Sequence, residues 1–232
     1  MFLKKHEQIN WLAIGFATLI TAVAMWLGMA WLDMPFYYLF TNLNYGRWTW
    51  WFEVIFDGHV WIGMSAAALV LGYIIKSVSS GVKYKDKNGH LSLGVFVKDG
   101  IGKVMHTNAF FIFMAVLSTG LLVKALKFLI GRIRPLVGFV ADANPMTFEP
   151  LSSDWLYNSM PSGHTAISFA GLVMIGLLLP RFKVLTWTLA VVIAVSRLML
   201  GVHWFSDVVF GAFIGMVMAD IVYSVLIKNK KK

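Results

Sequence analysis

The sequence predicts an all-α polytopic membrane protein with six transmembrane helices, and three observations lead there. Of its 232 residues 59% are hydrophobic and 13% charged, far from the balance of soluble domains. Several runs carry almost no charge over the ~20 residues that cross a bilayer. Lysines and arginines gather in alternate connecting segments, as they do when alternate loops face the cytoplasm. The chain reads as one membrane-embedded domain, 1–232, without internal repeat or low-complexity segment.

The six spans are expected at about 11–31, 59–78, 107–130, 163–180, 184–201 and 207–227. The first follows Lys4 and Lys5 and ends at Trp31-Leu32-Asp33. It is longer than the roughly 7–15 apolar residues of a signal-peptide core and lacks a small-residue cleavage site, so it is expected to be a retained helix. Gly58 and His59 open the second span. Lys124 and Lys127 sit in the last turns of the third, where long side chains reach the interface. Gly201 is expected to end the fifth helix and Asp207 to open the sixth.

Charge sets the orientation. Lys4 and Lys5, six lysines from Lys76 to Lys103, Arg181 and Lys183, and the tail Lys228, Lys230, Lys231 and Lys232 fall on one side, the cytoplasm, together with both termini. Segments holding Asp33, Glu53 and Asp57, then Asp142, Glu149 and Asp154, face outward. This topology accounts for the net charge of +9 better than nucleic-acid binding does, since no basic stripe runs along one element. The absence of cysteine excludes disulfides, thiolate metal sites and thiol nucleophiles. The segment from Phe36 to Phe56 is crowded with aromatics, including Tyr37, Tyr38, Tyr45, Trp48, Trp50, Trp51 and Phe52. It reads as an interfacial belt or as an amphipathic segment that admits a lipid, and both readings stand.

Three clusters place ionisable residues at the ends of apolar spans, where charge is costly and usually functional. In the first, Lys127 and Arg134 stand about two helical turns apart and are expected to share a face of the third helix, which Pro135 helps to end. In the second, Pro161-Ser162-Gly163-His164, Ser162 is a candidate N-cap. Gly163 lets the backbone approach a ligand, and the helix N-terminus offers free N–H groups to an anion. The third runs Ser196-Arg197, five residues, His203, three residues, Asp207, with a carboxylate placed to hold an imidazole in one tautomer and leave its other nitrogen nucleophilic. Lys127, His164, Arg197 and Asp207 lie at the ends of spans three to six, and all four ends face outward. Three cations and backbone donors provide the charge neutralisation that phosphoryl transfer needs, and no carboxylate-rich cluster suggests Mg²⁺. Lys124 is a weaker candidate for head-group contact. His59 is expected to be structural or interfacial, and His106 and Asp220 to serve packing or hydrogen bonding.

The ordered pattern Lys-x6-Arg-Pro, Pro-Ser-Gly-His, Ser-Arg-x5-His-x3-Asp resembles the type 2 phosphatidic acid phosphatase superfamily of lipid phosphatases, without a departure at any signature position. The resemblance covers 127–207; residues before about 105 match only as generic membrane helices. It implies His203 as nucleophile through a phosphohistidine, Asp207 orienting it, and His164 protonating the leaving oxygen and later activating water. It also implies Lys127, Arg134, Ser162, Gly163 and Arg197 as the phosphate cradle, with no metal and no other cofactor. The implied activity is hydrolysis of a lipid phosphate or diphosphate: undecaprenyl diphosphate, phosphatidylglycerol phosphate, phosphatidic acid or a lipid A phosphate. The implied location is a bacterial plasma (inner) membrane, with the site facing the periplasm or exterior. Partners are then the lipid substrate and membrane lipids, with no nucleic acid. A lipid phosphotransferase of the same superfamily and a non-enzymatic lipid transporter or scaffold are the alternatives, and the loop from Leu136 to Met160 is expected to help choose the substrate.

Overall fold

The computed structural model describes residues 1–4, 7–42, 51, 54–55, 57–79, 105, 107–135 and 144–230. Tyr45, Trp48, Trp50, Phe52, Glu53, His106 and Asp142, and most of the basic segment ending at Lys103, lie outside them. The described residues are helical, joined by loops, and pair in β fashion only at two isolated bridges. The helices are α1 (Trp11–Leu27), α2 (Asp33–Asn42), α3 (Gly58–Ser79), α4 (Asn108–Ile130), α5 (Gly163–Leu178), α6 (Lys183–Met199) and α7 (Phe205–Lys230). Among the described residues four helical stretches are long and apolar enough to cross a membrane, namely Trp11–Thr41, Asn108–Ile130, Pro180–Met199 and Phe205–Ile227. The other two expected spans are shorter apolar helices, His59–Ile75 and Gly163–Leu178.

α5 is central. It packs against α7, α6 and α4, and buries Ala166, Phe169, Ala170, Leu172, Val173 and Met174 among others. Two glycines one turn apart on α7 bring the backbones together. A Cβ at Gly211 would fall 2.6 Å from the Ser162 carbonyl oxygen, and one at Gly215 would fall 2.3 Å from that of Ala166. Small residues so spaced let helices approach closely where lipid supplies no hydrophobic drive between them. The start of α7 is thereby locked against the start of α5.

The first span departs from expectation. It does not stop at Trp31 but passes through a π-helical stretch, Gly28–Leu32, into α2. Asp33, expected in an outward loop, is therefore helical and buried. Gly28 lies against the start of α7, where a Cβ would come 3.0 Å from Ser206 Cβ. The wider turn sits where the helix meets this neighbour, just before Pro35 of α2, which lacks an amide proton.

Candidate active site

The site begins where α4 ends. The third span was expected at about 107–130, and α4 does stop at Ile130, because Gly131 adopts a left-handed conformation (φ 60°) and its N–H bonds the Lys127 carbonyl. A side chain at Gly131 would also strike the Glu149 carbonyl. Residues 132–134 then run extended beside 147–149, with Ile133 N–H donating to Thr147 O at 3.1 Å and Glu149 N–H to Gly131 O at 2.6 Å. Lys127 and Arg134 thus do not share a helix face. They converge nonetheless: Lys127 Nζ donates to the carbonyls of Asn158 and Ser159, and Arg134 donates to those of Asn158, Trp155 and Val202. The guanidinium of Arg134 also lies 4.3 Å from the ring of Trp155.

Ser162 is the N-cap of α5 by position, but its hydroxyl pairs with the Thr165 hydroxyl at 2.9 Å instead of capping a backbone N–H. Its own N–H donates to the Asp207 carbonyl at 3.0 Å, a bond that joins the second motif to the third. Gly163 opens the helix beside Lys127, whose Cε would lie 3.7 Å from an added Cβ. His164 follows, with its Nε2 3.4 Å from Asp57 Oδ2, longer than an ordinary hydrogen bond.

α6 ends at Met199 and Gly201 turns the chain in a left-handed conformation, as expected. Arg197 is buried in the last turn and reaches Ser196 Oγ at 3.3 Å. Asp207 occupies the first turn of α7, its Oδ2 accepting from Trp204 N–H at 3.0 Å and from the Ser159 hydroxyl at 2.5 Å. His203 Nδ1 stands 3.7 Å from the same oxygen and has no hydrogen-bond partner. The carboxylate faces the imidazole without a hydrogen bond closed between them, a looseness that ligand-free sites often show. Burial drives the His203 pKa down to about 3, helped by Lys127 and Arg134 and opposed by Asp207, so the ring is neutral at physiological pH. Lys127 and Arg134 act electrostatically on both His164 and His203. Cations, helix-terminal N–H groups and a neutral imidazole together suit a tetrahedral anion.

A cleft of about 350 Å³ between α3, α4 and α5 ends at Lys127, Gly163 and His164. Ile62, Leu117, Leu121 and Ile167 form its apolar walls, and Lys127, His164, Asp57, Lys124 and His59 also line it. Among the described residues no group of three or more side chains is placed to hold a metal ion.

Sequence reasoning passed over four residues. Arg132 is fully buried and its guanidinium joins Asp207 Oδ1 at 2.6 Å to Asp33 Oδ2 at 2.7 Å. Ser159 holds Asp207, and Asp57 faces His164. Arg132 carried a weak signal, a third cation inside the Lys127–Arg134 motif. Asp33, Asp57 and Ser159 carried none, because their partners are distant in sequence.

Residues 108–231 match the profile of the PAP2 superfamily. The match covers more than half of the chain and contains every residue of the three motifs. The chain belongs to the PAP2 superfamily. Within it, the chain is 34% identical over 115 residues to a lipid A 1-phosphatase of Rhizobium johnstonii, covering 48% of this chain and 46% of that protein. It is 34% identical over 117 residues to the lipid A 1-phosphatase of Rhizobium etli, covering 49% and 50%. A lipid A 1-phosphatase of Porphyromonas gingivalis is 34% identical over 93 residues, covering 38% and 21%. The match thus spans about half the length of the Rhizobium relatives and less of the third. Among solved structures, a transmembrane PAP2-type phosphatidylglycerolphosphate phosphatase from Bacillus subtilis aligns over 95% of this chain and 96% of its own, at 20% identity and a TM-score of 0.44. Asp33 and Asp57 lie outside the PAP2 match, so the family pattern assigns them no role.

Proposed function

We propose that this PAP2 protein is a lipid phosphatase that hydrolyses a lipid phosphate or diphosphate at the outer face of a bacterial inner membrane. The observation that carries the lipid reading is the cleft, which joins apolar walls from α3, α4 and α5 to the polar end formed by Lys127 and His164. A water-soluble phosphate ester has no use for such walls, whereas a lipid leaving group fills them. All six apolar helices span the bilayer in this reading, with both termini cytoplasmic.

In the mechanism, Lys127, Arg134, Arg197 and the N–H groups around Ser162 and Gly163 neutralise the phosphoryl oxygens. Asp207 faces Nδ1 of His203, which leaves Nε2 to attack phosphorus. The new N–P bond forms as the bond to the lipid oxygen breaks, and His164, protonated once the anionic phosphate is bound beside it, gives its proton to that oxygen. Asp207 stabilises the positive charge on the phosphorylated ring. Water then attacks phosphorus, passing a proton to His164, and the N–P bond breaks to release phosphate and restore neutral His203. The chain's own cations supply the charge neutralisation, so activity is expected to persist in EDTA.

The anomeric phosphate of a glycolipid is the first substrate to try, because the Rhizobium and Porphyromonas relatives are named lipid A 1-phosphatases. The test is phosphate release from labelled lipid A, undecaprenyl diphosphate, phosphatidylglycerol phosphate and phosphatidic acid by purified protein and by His203→Ala. Release by the parent and none by the variant is expected. Label moving to a second lipid instead of water marks a transferase, and undiminished release by His203→Ala ends the nucleophile assignment. A second variant probes the cleft: Gly120 faces Ile167 and Ile62, so Gly120→Phe is expected to block long-chain substrates while sparing a short, soluble phosphate ester.

A further inference from the structure

We infer that Asp33 and Arg132 are positioning residues for the reaction, a buried charge relay that reaches from α2 to the back of Asp207. The inference rests on the reading of His203 as nucleophile and adds to it Asp33, which lies outside the family match, and Arg132, which the three motifs leave without a role. All four members, Asp33, Arg132, Ser206 and Asp207, are at most 1% exposed.

Every arm of the Arg132 fork is engaged. Its Nε donates to the Pro145 carbonyl at 2.9 Å, and one terminal nitrogen donates to Ser206 Oγ at 2.7 Å and Asp207 Oδ1 at 2.6 Å. The other terminal nitrogen donates to Asp33 Oδ2 at 2.7 Å. Asp33 in turn accepts the Ser206 backbone N–H at 2.9 Å and the Ser206 hydroxyl at 2.7 Å. It therefore caps the first turn of α7 from a separate helix, where a carboxylate is favoured by the helix N-terminus.

The consequence falls on Asp207. A carboxylate rotates easily about its terminal torsion, and here Arg132 occupies Oδ1, which commits Oδ2 to the side where Trp204 N–H, Ser159 and His203 lie. A rigid planar fork fixes such an orientation in a way an ammonium cannot. Two carboxylates around one guanidinium are also an expensive way merely to dock a helix, since buried ion pairs often stabilise no better than apolar packing of the same volume. Fixing the direction of Asp207 accounts for placing that charge here.

The test compares purified Asp33→Asn, Arg132→Lys and Arg132→Gln with the parent on one lipid phosphate. Asp33→Asn is expected to lower kcat roughly 10- to 100-fold, the range for groups that orient a catalytic ligand, with KM held within about twofold. Arg132→Lys should recover only part of the activity that Arg132→Gln loses. In an Asp207→Asn background, Asp33→Asn should lower kcat no further, because both act through one carboxylate. Unchanged kcat in folded Asp33→Asn protein, a loss carried by KM alone, or a loss that adds in full to that of Asp207→Asn overturns the assignment. If Arg132→Gln does not fold, the isosteric Asp33→Asn decides. Failure of the underlying nucleophile reading is distinct, because His203→Ala would then keep its activity.

Discussion

Helices α1 and α5 are both apolar, yet they live in different surroundings. Eleven of the sixteen residues of α5 are buried by protein, whereas none of α1 is. Neither hydrophobicity nor the share of small residues separates them, since α1 also holds Ala13, Gly15, Ala17, Thr18, Thr21, Ala22 and Ala24; their neighbours do. α5 carries Thr165, Ala166, Ser168, Ala170, Gly171 and Gly176, while α1 turns Trp11, Leu12, Phe16, Leu19 and Ile20 outward. In a bilayer, lipid tails are as apolar as leucine, so a helix is surrounded where its neighbours present close-fitting faces, as Gly211 and Gly215 of α7 do for α5. The chemistry collects at the N-terminal end of the surrounded helix, and α2, which continues the first span, contributes to it through one buried carboxylate, Asp33.

The sharpest way to break this contrast is chemical. His203→Ala is expected to reduce kcat by at least about 10⁴-fold, as loss of a nucleophile does when the remaining machinery stays intact; stopped assays with labelled lipid phosphate measure it. Gly215→Leu comes next. Its side chain would strike the α5 backbone, and overpacking of this kind costs about 1–3 kcal/mol, seen as a lower Tm in detergent together with lost activity.

A third test uses pH. The His203 ring takes a proton in the unfolded chain below about 6.5 but in the folded protein only near 3. Its contribution to stability is therefore complete above pH 6.5 and is lost as pH falls towards 3. Thermal unfolding across that window should show a decline that His203→Gln, which does not titrate, reduces. The smallest effect is expected on α1. Leu19→Ala, at a position 62% exposed, should shift stability by less than about 0.5 kcal/mol, and a shift as large as that of Gly215→Leu would erase the distinction between the two helices.

Much of this was legible beforehand. Apolar runs located the helices, and Gly201 and Asp207 marked the α6 to α7 turn as expected. The shared helix face expected of Lys127 and Arg134 failed because Pro135 drew attention from Gly131, whose left-handed backbone turns the chain four residues earlier. Lys127 and Arg134 meet all the same, through carbonyls of the loop 155–159 instead of a common face. Asp33 looked like a loop residue because it follows an apolar run of ordinary length.

Residue order alone settled which ionisable groups sit at the ends of apolar runs, since a charge within such a run is costly enough to stand out in composition and spacing. Partnership among those groups came from packing. Asp33 meets Arg132 across 99 residues, and the Ser162 N–H meets the Asp207 carbonyl because Gly211 and Gly215 let two helices touch. A buried charge must be neutralised by whatever the neighbouring helix presents, and sequence distance carries no record of which helices are neighbours.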